Sequence, residues 1–384
     1  MKTVNRDQKV ESRSGWGGRQ ARVPAGLALA LLAALLGMAT GSPPEARAVA
    51  TSAADRDTAR AYPFYRRGLA LYSDGKPIEA LRQFQNATFF DPGNAEFRFA
   101  QGLCLLKVDE FGQARTQFER ALAAAPDHAR AHYNLGLTES ALGDTAEARH
   151  HLLRASALEP RLPGVAFARA RLAERGGDVP GALAAYLEER AVTPDSASTR
   201  AALGQAFARA GQPDSALAEY DAALARGPGR GEVLIERARL LDATDRHVEA
   251  ARAWDAAAQR DTARADLRAA EGVAWFRAGR ADSAVAALDR AIALDPRDAK
   301  SAFNRGVAFE SLVRLDDAAA SYREAIARDS AFADPWLNLG SLLARQGKNK
   351  EAGVALDQWL ALEPDSPRAA EIRRARASLT RKKG

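Results

Sequence analysis

The chain repeats itself every 34 residues. Blocks starting at residues 61, 95, 129, 163, 197, 231, 265, 299 and 333 run without insertion or deletion to residue 366. Counting each block from position 1 to 34, position 8 is small in all nine: Gly68, Gly102, Gly136, Ala170, Gly204, Ala238, Gly272, Gly306 and Gly340. Position 20 is Ala in all nine, from Ala80 to Ala352, and position 24 is bulky throughout, from Phe84 and Phe118 to Tyr322 and Leu356. Position 27 is Ala except at Glu189 and Trp359, and position 32 is Pro except at Thr262 and Ser330. A fixed period of this length marks a row of supersecondary units, none of which can bury its apolar face without a neighbour.

Within a block the apolar spacing is helical, and Gly at position 15 (Gly75, Gly143, Gly177, Gly211, Gly279, Gly347) marks a C-terminal cap after a first helix. Two helices per block are therefore expected. Small residues at positions 8 and 20 let the pair cross with close backbones, and the bulky position 24 is expected to fill the space between the pair and its neighbour. The Pro at position 32 ends the second helix, because it lacks an N–H and clashes with the preceding turn. The expected fold is an all-α solenoid of stacked helix pairs.

The pattern resembles the tetratricopeptide repeat family, whose W-x2-L-G and A-x3-F signatures stand here as Trp336-x2-Leu339-Gly340 and Ala80-x3-Phe84, followed by the terminal Pro. The resemblance covers residues 61–366. It implies a right-handed superhelical solenoid of helix-turn-helix repeats, with a concave face built by the first helices that binds extended peptides or partner helices. Block 6, with Ala238 and Thr262, and block 4, with Glu189, depart from the pattern and are expected to pack more loosely. Residues 367–384 (PRAAEIRRARASLTRKKG) read as a C-terminal capping helix with a basic tail.

If the family's groove columns hold here, position 5 presents Tyr65, Phe99, Tyr133 and Phe167 early in the array, and position 9 presents Leu69, Leu103 and Leu137 before turning to Arg171, Gln205 and Arg239. Position 12 runs Tyr72, Leu106, Ser140 and Glu174. An apolar, aromatic wall thus gives way to a charged one. Anchors of that kind carry most binding energy, which makes Tyr65, Leu69, Phe99, Leu103, Leu106, Tyr133 and Leu137 the candidate partner-binding residues, with packing against adjacent first helices as the competing role. Asn338 joins them as the residue of its stretch expected to face the groove. Some family members grip a C-terminal carboxylate with Lys and Asn from successive repeats. Here Asn134, Asn304 and Asn338 fill the middle Asn column, but the preceding Lys and Asn columns hold Phe99 and Leu103, Ala269 and Val273, and Phe303 and Val307, so no complete clamp is present. Three Asn of nine also make a thin asparagine ladder.

The blocks leave no room for a separate catalytic domain. His128 and His132 have the i, i+4 spacing of paired metal ligands, with His150 and His151 nearby, but one sits at a block junction and the other at a packing column, so no metal or other cofactor is expected. The GPGRG run at 227–231 lacks the Lys-Ser/Thr that would hold a nucleotide. Cys104, the single cysteine, lies in the apolar run GLCLL and reads as a core residue.

The net charge of +6 sits at the ends: +4 over residues 1–50 and +6 over residues 367–384, which leaves −4 on residues 51–366. A body of that sign repels a phosphate backbone, so nucleic acid is not an expected partner. Residues 1–22 are polar and mostly basic, and Val23–Thr40 carries no charge. That order is an export signal, its basic flank held on the cytoplasmic side while the downstream chain is translocated. Ala39-Thr40-Gly41 and Ala48-Val49-Ala50 offer cleavage sites, whereas the full 18 residues could stay as an anchor, so residues 1–50 are either a signal peptide or an N-terminal membrane anchor. Residues 51–60 are expected to be a linker. With 46 Arg to 9 Lys favouring a bacterial cell plan, two readings remain. One is a non-catalytic scaffold or assembly factor of the cell envelope, in the periplasm or on the outer face of the cytoplasmic membrane, that binds envelope proteins or peptides. The other is a periplasmic chaperone-like carrier of exported or unfolded polypeptides.

Overall fold

The computed structural model describes residues 53–227 and 231–380. Residues 1–52, on which the expected signal peptide or anchor falls, residues 228–230 of the Gly-rich run and the last four residues of the basic tail lie outside them. Among the described residues all regular structure is α-helical, and no helix is long and apolar enough to cross a membrane.

The helices come in pairs: α1 Ala53–Ser73 and α2 Pro77–Phe90, α3 Ala95–Lys107 and α4 Phe111–Ala124, α5 Ala129–Leu142 and α6 Thr145–Leu158, α7 Val165–Arg175 and α8 Val179–Val192, α9 Ala197–Arg209 and α10 Pro213–Arg226. The series continues with α11 Gly231–Ala243 and α12 His247–Arg260, α13 Ala265–Arg277 and α14 Ala281–Leu294, α15 Ala299–Ser311 and α16 Leu315–Arg328, α17 Ala333–Arg345 and α18 Asn349–Leu362, closed by α19 Ala369–Ser378. Two compact units result, one ending at Asn134 and one beginning at Leu135. Each is a stack of helix pairs.

Every second helix starts at position 17 and is 14 residues long, from Pro77–Phe90 to Asn349–Leu362. The turn before it explains this regularity. In each block the N–H of position 16 donates to the carbonyl of position 11 at 2.9 Å, from Lys76 to Leu71 through to Lys348 to Leu343. This is a Schellman closure, and it requires a left-handed residue at position 15. Six blocks supply Gly, whereas Asp109, Asp245 and Val313 adopt the same conformation at φ of 60°, 59° and 60°. Position 34 caps the next first helix: Asn94 accepts the N–H groups of Glu96 and Phe97, Ser196 that of Thr199, and Asp298 that of Lys300.

The bulky residue at position 24 seats in its own block and also lies against the following one, as expected from the sequence: Asn338 reaches the hydroxyl of Tyr322, and Tyr186 and Tyr220 share core clusters with Leu203 and Val233. A Cβ built on Gly68 would stand 2.5 Å from Phe84, one on Gly102 2.4 Å from Phe118, and one on Gly306 2.6 Å from Tyr322. Position 8 is therefore a socket for position 24. Position 20 lines the same contact, and its alanines are buried from Ala80 to Ala352. In block 6 Ala238, Ala250, Trp254 and Ala257 bury one another, so the expected loosening is not seen there.

Two more expectations change. Residues 53–60 are helical rather than a linker: α1 runs back to Ala53 and carries Pro63 in its interior, although a Pro at that place would suit the first turn of a helix begun at position 1. In block 4, Pro163 and left-handed Gly164 (φ 89°) delay α7 to Val165, and the carboxylate of Glu189 fills the gap. It accepts the N–H of Gly164 at 3.0 Å and that of Phe167 at 3.3 Å while being only 3% exposed. The departure at position 27 is a cap. At the other end, Ala369 and Ile372 of α19 bury themselves against Leu337, Leu356 and Trp359, and Arg376 reaches across Gly353 to Asp357 at 2.8 Å.

Candidate partner-binding face

The first helix of each block carries the candidate residues, and the structure divides them by depth. In the unit ending at Asn134, Tyr65, Phe99, Leu103 and Tyr133 are buried, while Leu69 and Leu106 are half-buried. The reason at Tyr65 and Phe99 is a ring pairing within the block, joined at Tyr65 by a ring of the next block. Tyr65 stands 5.6 Å from Phe84 and 4.9 Å from Phe97, and Phe99 stands 5.8 Å from Phe118 and 4.9 Å from His128. Phe167 and Tyr186, at 5.3 Å, and Phe303 and Tyr322, at 5.8 Å, repeat the arrangement in the second unit. Position 5 thus builds the wall from inside. Leu69 and Leu106, and Leu137 and Asn338 in the second unit, are the candidates that reach solvent.

Position 12 organises the polar part of the second unit. Glu174 accepts the hydroxyl of Tyr186 at 3.0 Å, Arg171 at 2.8 Å and Arg209 of the next block at 2.9 Å. Glu310 accepts the hydroxyl of Tyr322 at 2.8 Å and pairs with Arg345 of the next block, and Asn338 donates to the same Tyr322 oxygen at 3.5 Å. Asp242 accepts the indole N–H of Trp254 at 2.9 Å, with His247 at 3.4 Å. Burial, reinforced by the neighbouring carboxylate, pushes the hydroxyls of Tyr186 and Tyr322 well above the ordinary tyrosine range, so both remain donors. A charged wall was expected here from the sequence, but this pairing was not. Its signal was available: position 12 is acidic in blocks 4, 6 and 8, each with a Tyr or Trp at position 24, although Tyr220 of block 5 stands over Ala208.

Two buried acids clamp helices together: Glu219 takes Arg200 at 3.0 Å and Arg190, and Glu271 takes Arg268 at 2.7 Å and Arg290 at 3.2 Å. The histidines are spoken for locally. His128 accepts the N–H of Ala131 at 3.2 Å and stands 3.1 Å from Glu96, a hydrogen bond that holds the Glu96 carboxyl below the usual range. His132 stands 2.9 Å from the carbonyl of Pro126. Among the described residues no group of His, Cys, Asp and Glu is placed to hold a metal ion. Cys104 is buried, and burial pushes its thiol up to about 12. Trp336 spends its indole N–H on the carbonyl of Ser330 at 3.0 Å, and Asn134 its amide on the carbonyl of Arg130 at 2.8 Å.

Tetratricopeptide repeat models match residues 65–107, 105–155, 137–197 and 269–331, and two further models of the same description match 197–240 and 314–377. The chain belongs to the tetratricopeptide repeat family. That fold is a protein–protein interaction scaffold, typically non-catalytic, and its members bind proteins or peptides. No curated protein matches the chain. Among solved structures it is similar to YrrB, described as a tetratricopeptide repeat protein with an unusual peptide-binding site, at 20% identity over 49% of this chain and 97% of that one, with a TM-score of 0.42. TTC0263, a tetratricopeptide repeat protein of Thermus thermophilus, matches at 23% identity over 47% of this chain and 98% of that one, with a TM-score of 0.40. A tetratricopeptide repeat protein of Parabacteroides merdae matches at 16% identity over 65% and 98%, with a TM-score of 0.41.

Proposed function

We propose that this tetratricopeptide repeat protein is an exported scaffold or assembly factor of the bacterial cell envelope, which holds a partner peptide or helix against its first-helix face. The observation that carries the reading is that Leu69 and Leu106 are half-buried on the same first helices whose Tyr65 and Phe99, one and two turns earlier, are buried in ring pairs. A partner's apolar side chain would meet an accessible surface whose support is already ordered, which lowers the entropic cost of binding. The second unit carries its own half-buried candidates, Leu137 and Asn338, among acids and arginines that are mutually paired, which favours a partner of mixed polarity there. Export is supported by the basic flank and the uncharged Val23–Thr40 stretch.

Affinity purification with crosslinking from the native envelope tests the scaffold reading. One or two fixed partners retained at high salt, and lost from Leu69→Asp/Leu106→Asp with helicity intact, are expected. Protection of many unrelated clients from aggregation, with no fixed partner, would instead favour the carrier reading. A periplasm-active reporter fused after residue 60 tests export, and activity confined to the cytoplasm would refute it.

A further inference from the structure

Phe89, in the last turn of α2, is 80% exposed. It occupies position 29, which is Ala in seven of the other eight blocks and Gln259 in the remaining one. Nothing in the repeat asks for an aromatic residue there. Its ring stands edge-on to Phe90 at 5.4 Å, and Phe90 stacks on Phe64 of α1 at 5.6 Å, so exposed Phe89 is linked through half-buried Phe90 to half-buried Phe64. Tyr62, 43% exposed, lies on α1 close by in sequence.

The edge carrying these rings is also where the chain enters the array. Thr58, in the leading turns of α1, donates its hydroxyl to Asp91 at 2.8 Å, which ties the start of α1 to the end of α2 directly beside Phe89 and Phe90. Twelve residues, 41–52, separate the end of the uncharged stretch at Thr40 from the start of α1. Fully extended, such a segment spans at most about 40 Å. A chain tethered at residues 23–40 therefore keeps this edge near the bilayer surface. Helices that lie on a membrane bury Trp, Phe and Leu side chains at the boundary between headgroups and acyl chains. The outward face of α1 suits the same placement. Where α3 presents Phe97, Ala100, Gln101 and Cys104 to its predecessor, α1 presents Pro63, Arg66, Arg67 and Ala70, all exposed, and so offers no apolar seat for a further repeat.

We propose that Phe89, backed by Phe90 and Phe64, is a membrane-interface contact that docks the first repeat on the outer surface of the cytoplasmic membrane. This rests on the reading that residues 23–40 bring the chain to that membrane and remain attached. The test uses the full chain in vesicles of phosphatidylethanolamine and phosphatidylglycerol. An environment-sensitive fluorophore is attached at Asn86→Cys, exposed and one turn before Phe89, or at Gln259→Cys as a control. The native Cys104 is buried and does not compete for label. The expected result is blue-shifted emission and quenching by shallow doxyl-labelled lipid at position 86 only, both lost on adding Phe89→Ser. A chain that floats with vesicles while position 86 stays aqueous overturns the proposal and leaves membrane attachment standing, whereas a chain that fails to float overturns both. Equal quenching at 86 and 259 assigns the signal to general adsorption. A blue shift without lipid that grows with protein concentration assigns the patch to a second copy of the chain. Each of these last two results also overturns the proposal.

Discussion

The hydroxyl of Tyr322 donates to Glu310, which also holds Arg345 of the following repeat, so one side chain both fills its own repeat's core and orients the acid that links it to the next. Tyr322→Phe keeps the ring packing and removes the donor. A loss of about 1 kcal/mol is expected. A double-mutant cycle with Arg345→Ala, read from thermal unfolding, should show coupling, and strict additivity would mean that the tyrosine does not position the acid.

Alkaline titration should report the same burial. Burial is the largest cause of the raised pKa at Tyr65, Tyr72, Tyr186, Tyr220 and Tyr322, and Tyr220 is pushed up to about 12. Each of these groups keeps its proton in the folded state after the unfolded state has released it. The folded state therefore binds more protons above the unfolded value of 10.0, and stability falls as pH rises through that window. Tyrosinate absorbance should rise together with loss of helicity; a smooth titration of all tyrosines near pH 10 with helicity intact would contradict the buried placement.

Glu189 makes two variants diverge. Glu189→Ala restores the family's residue at position 27 but leaves the N–H groups of Gly164 and Phe167 without their acceptor, at a cost of about 1–2 kcal/mol. Glu189→Gln keeps an acceptor and removes a charge that burial makes costly. Because burial raises the Glu189 pKa above 4.5, the native chain should lose stability as pH rises from there through the folded value, and the Gln variant should lack that slope. Melting temperatures across pH 4 to 8 would check both variants.

Val313 holds a left-handed conformation that a β-branched residue adopts at a cost of about 1–2 kcal/mol. The side chain is 77% exposed and surrenders little packing when removed. Val313→Gly should therefore raise the melting temperature of the array, despite the greater unfolded-state freedom of glycine. A decrease would show that the turn is not strained.

Gly102→Ala places a Cβ 2.4 Å from the ring of Phe118, which is fully buried. Overpacking of this kind costs about 1–3 kcal/mol, more than the helix propensity gained. Gly112→Ala, with open space around the added carbon, should be neutral or stabilising, and the difference between the two in hydrogen-exchange protection of α3 and α4 isolates the socket effect.

The pairing of helices was legible in the 34-residue period because positions 8 and 20 admit only small residues at the crossing. The turn was legible at its six glycines and hidden at Asp109, Asp245 and Val313, exposed residues on which the backbone closure of the turn imposes the left-handed conformation against their own preference. Depth on the candidate face was the harder inference. Tyr65 and Phe99 look like exposed anchors in a single column, and only the matching aromatic at position 24 reveals that they are stacked inward. Glu189 read as a defect because its partners are backbone N–H groups, which carry no residue-specific signal.

The identical turn closure from Leu71–Lys76 to Leu343–Lys348 also bears on how such a gene changes. Because every block is 34 codons long and each closure is made by backbone atoms at the same two positions, recombination at matching points of the DNA segments encoding any two blocks keeps the reading frame and leaves every helix beginning in phase. A whole block can be lost, or copied in tandem, with a single new junction to repack, whereas an insertion of a few residues displaces every socket that comes after it within its block.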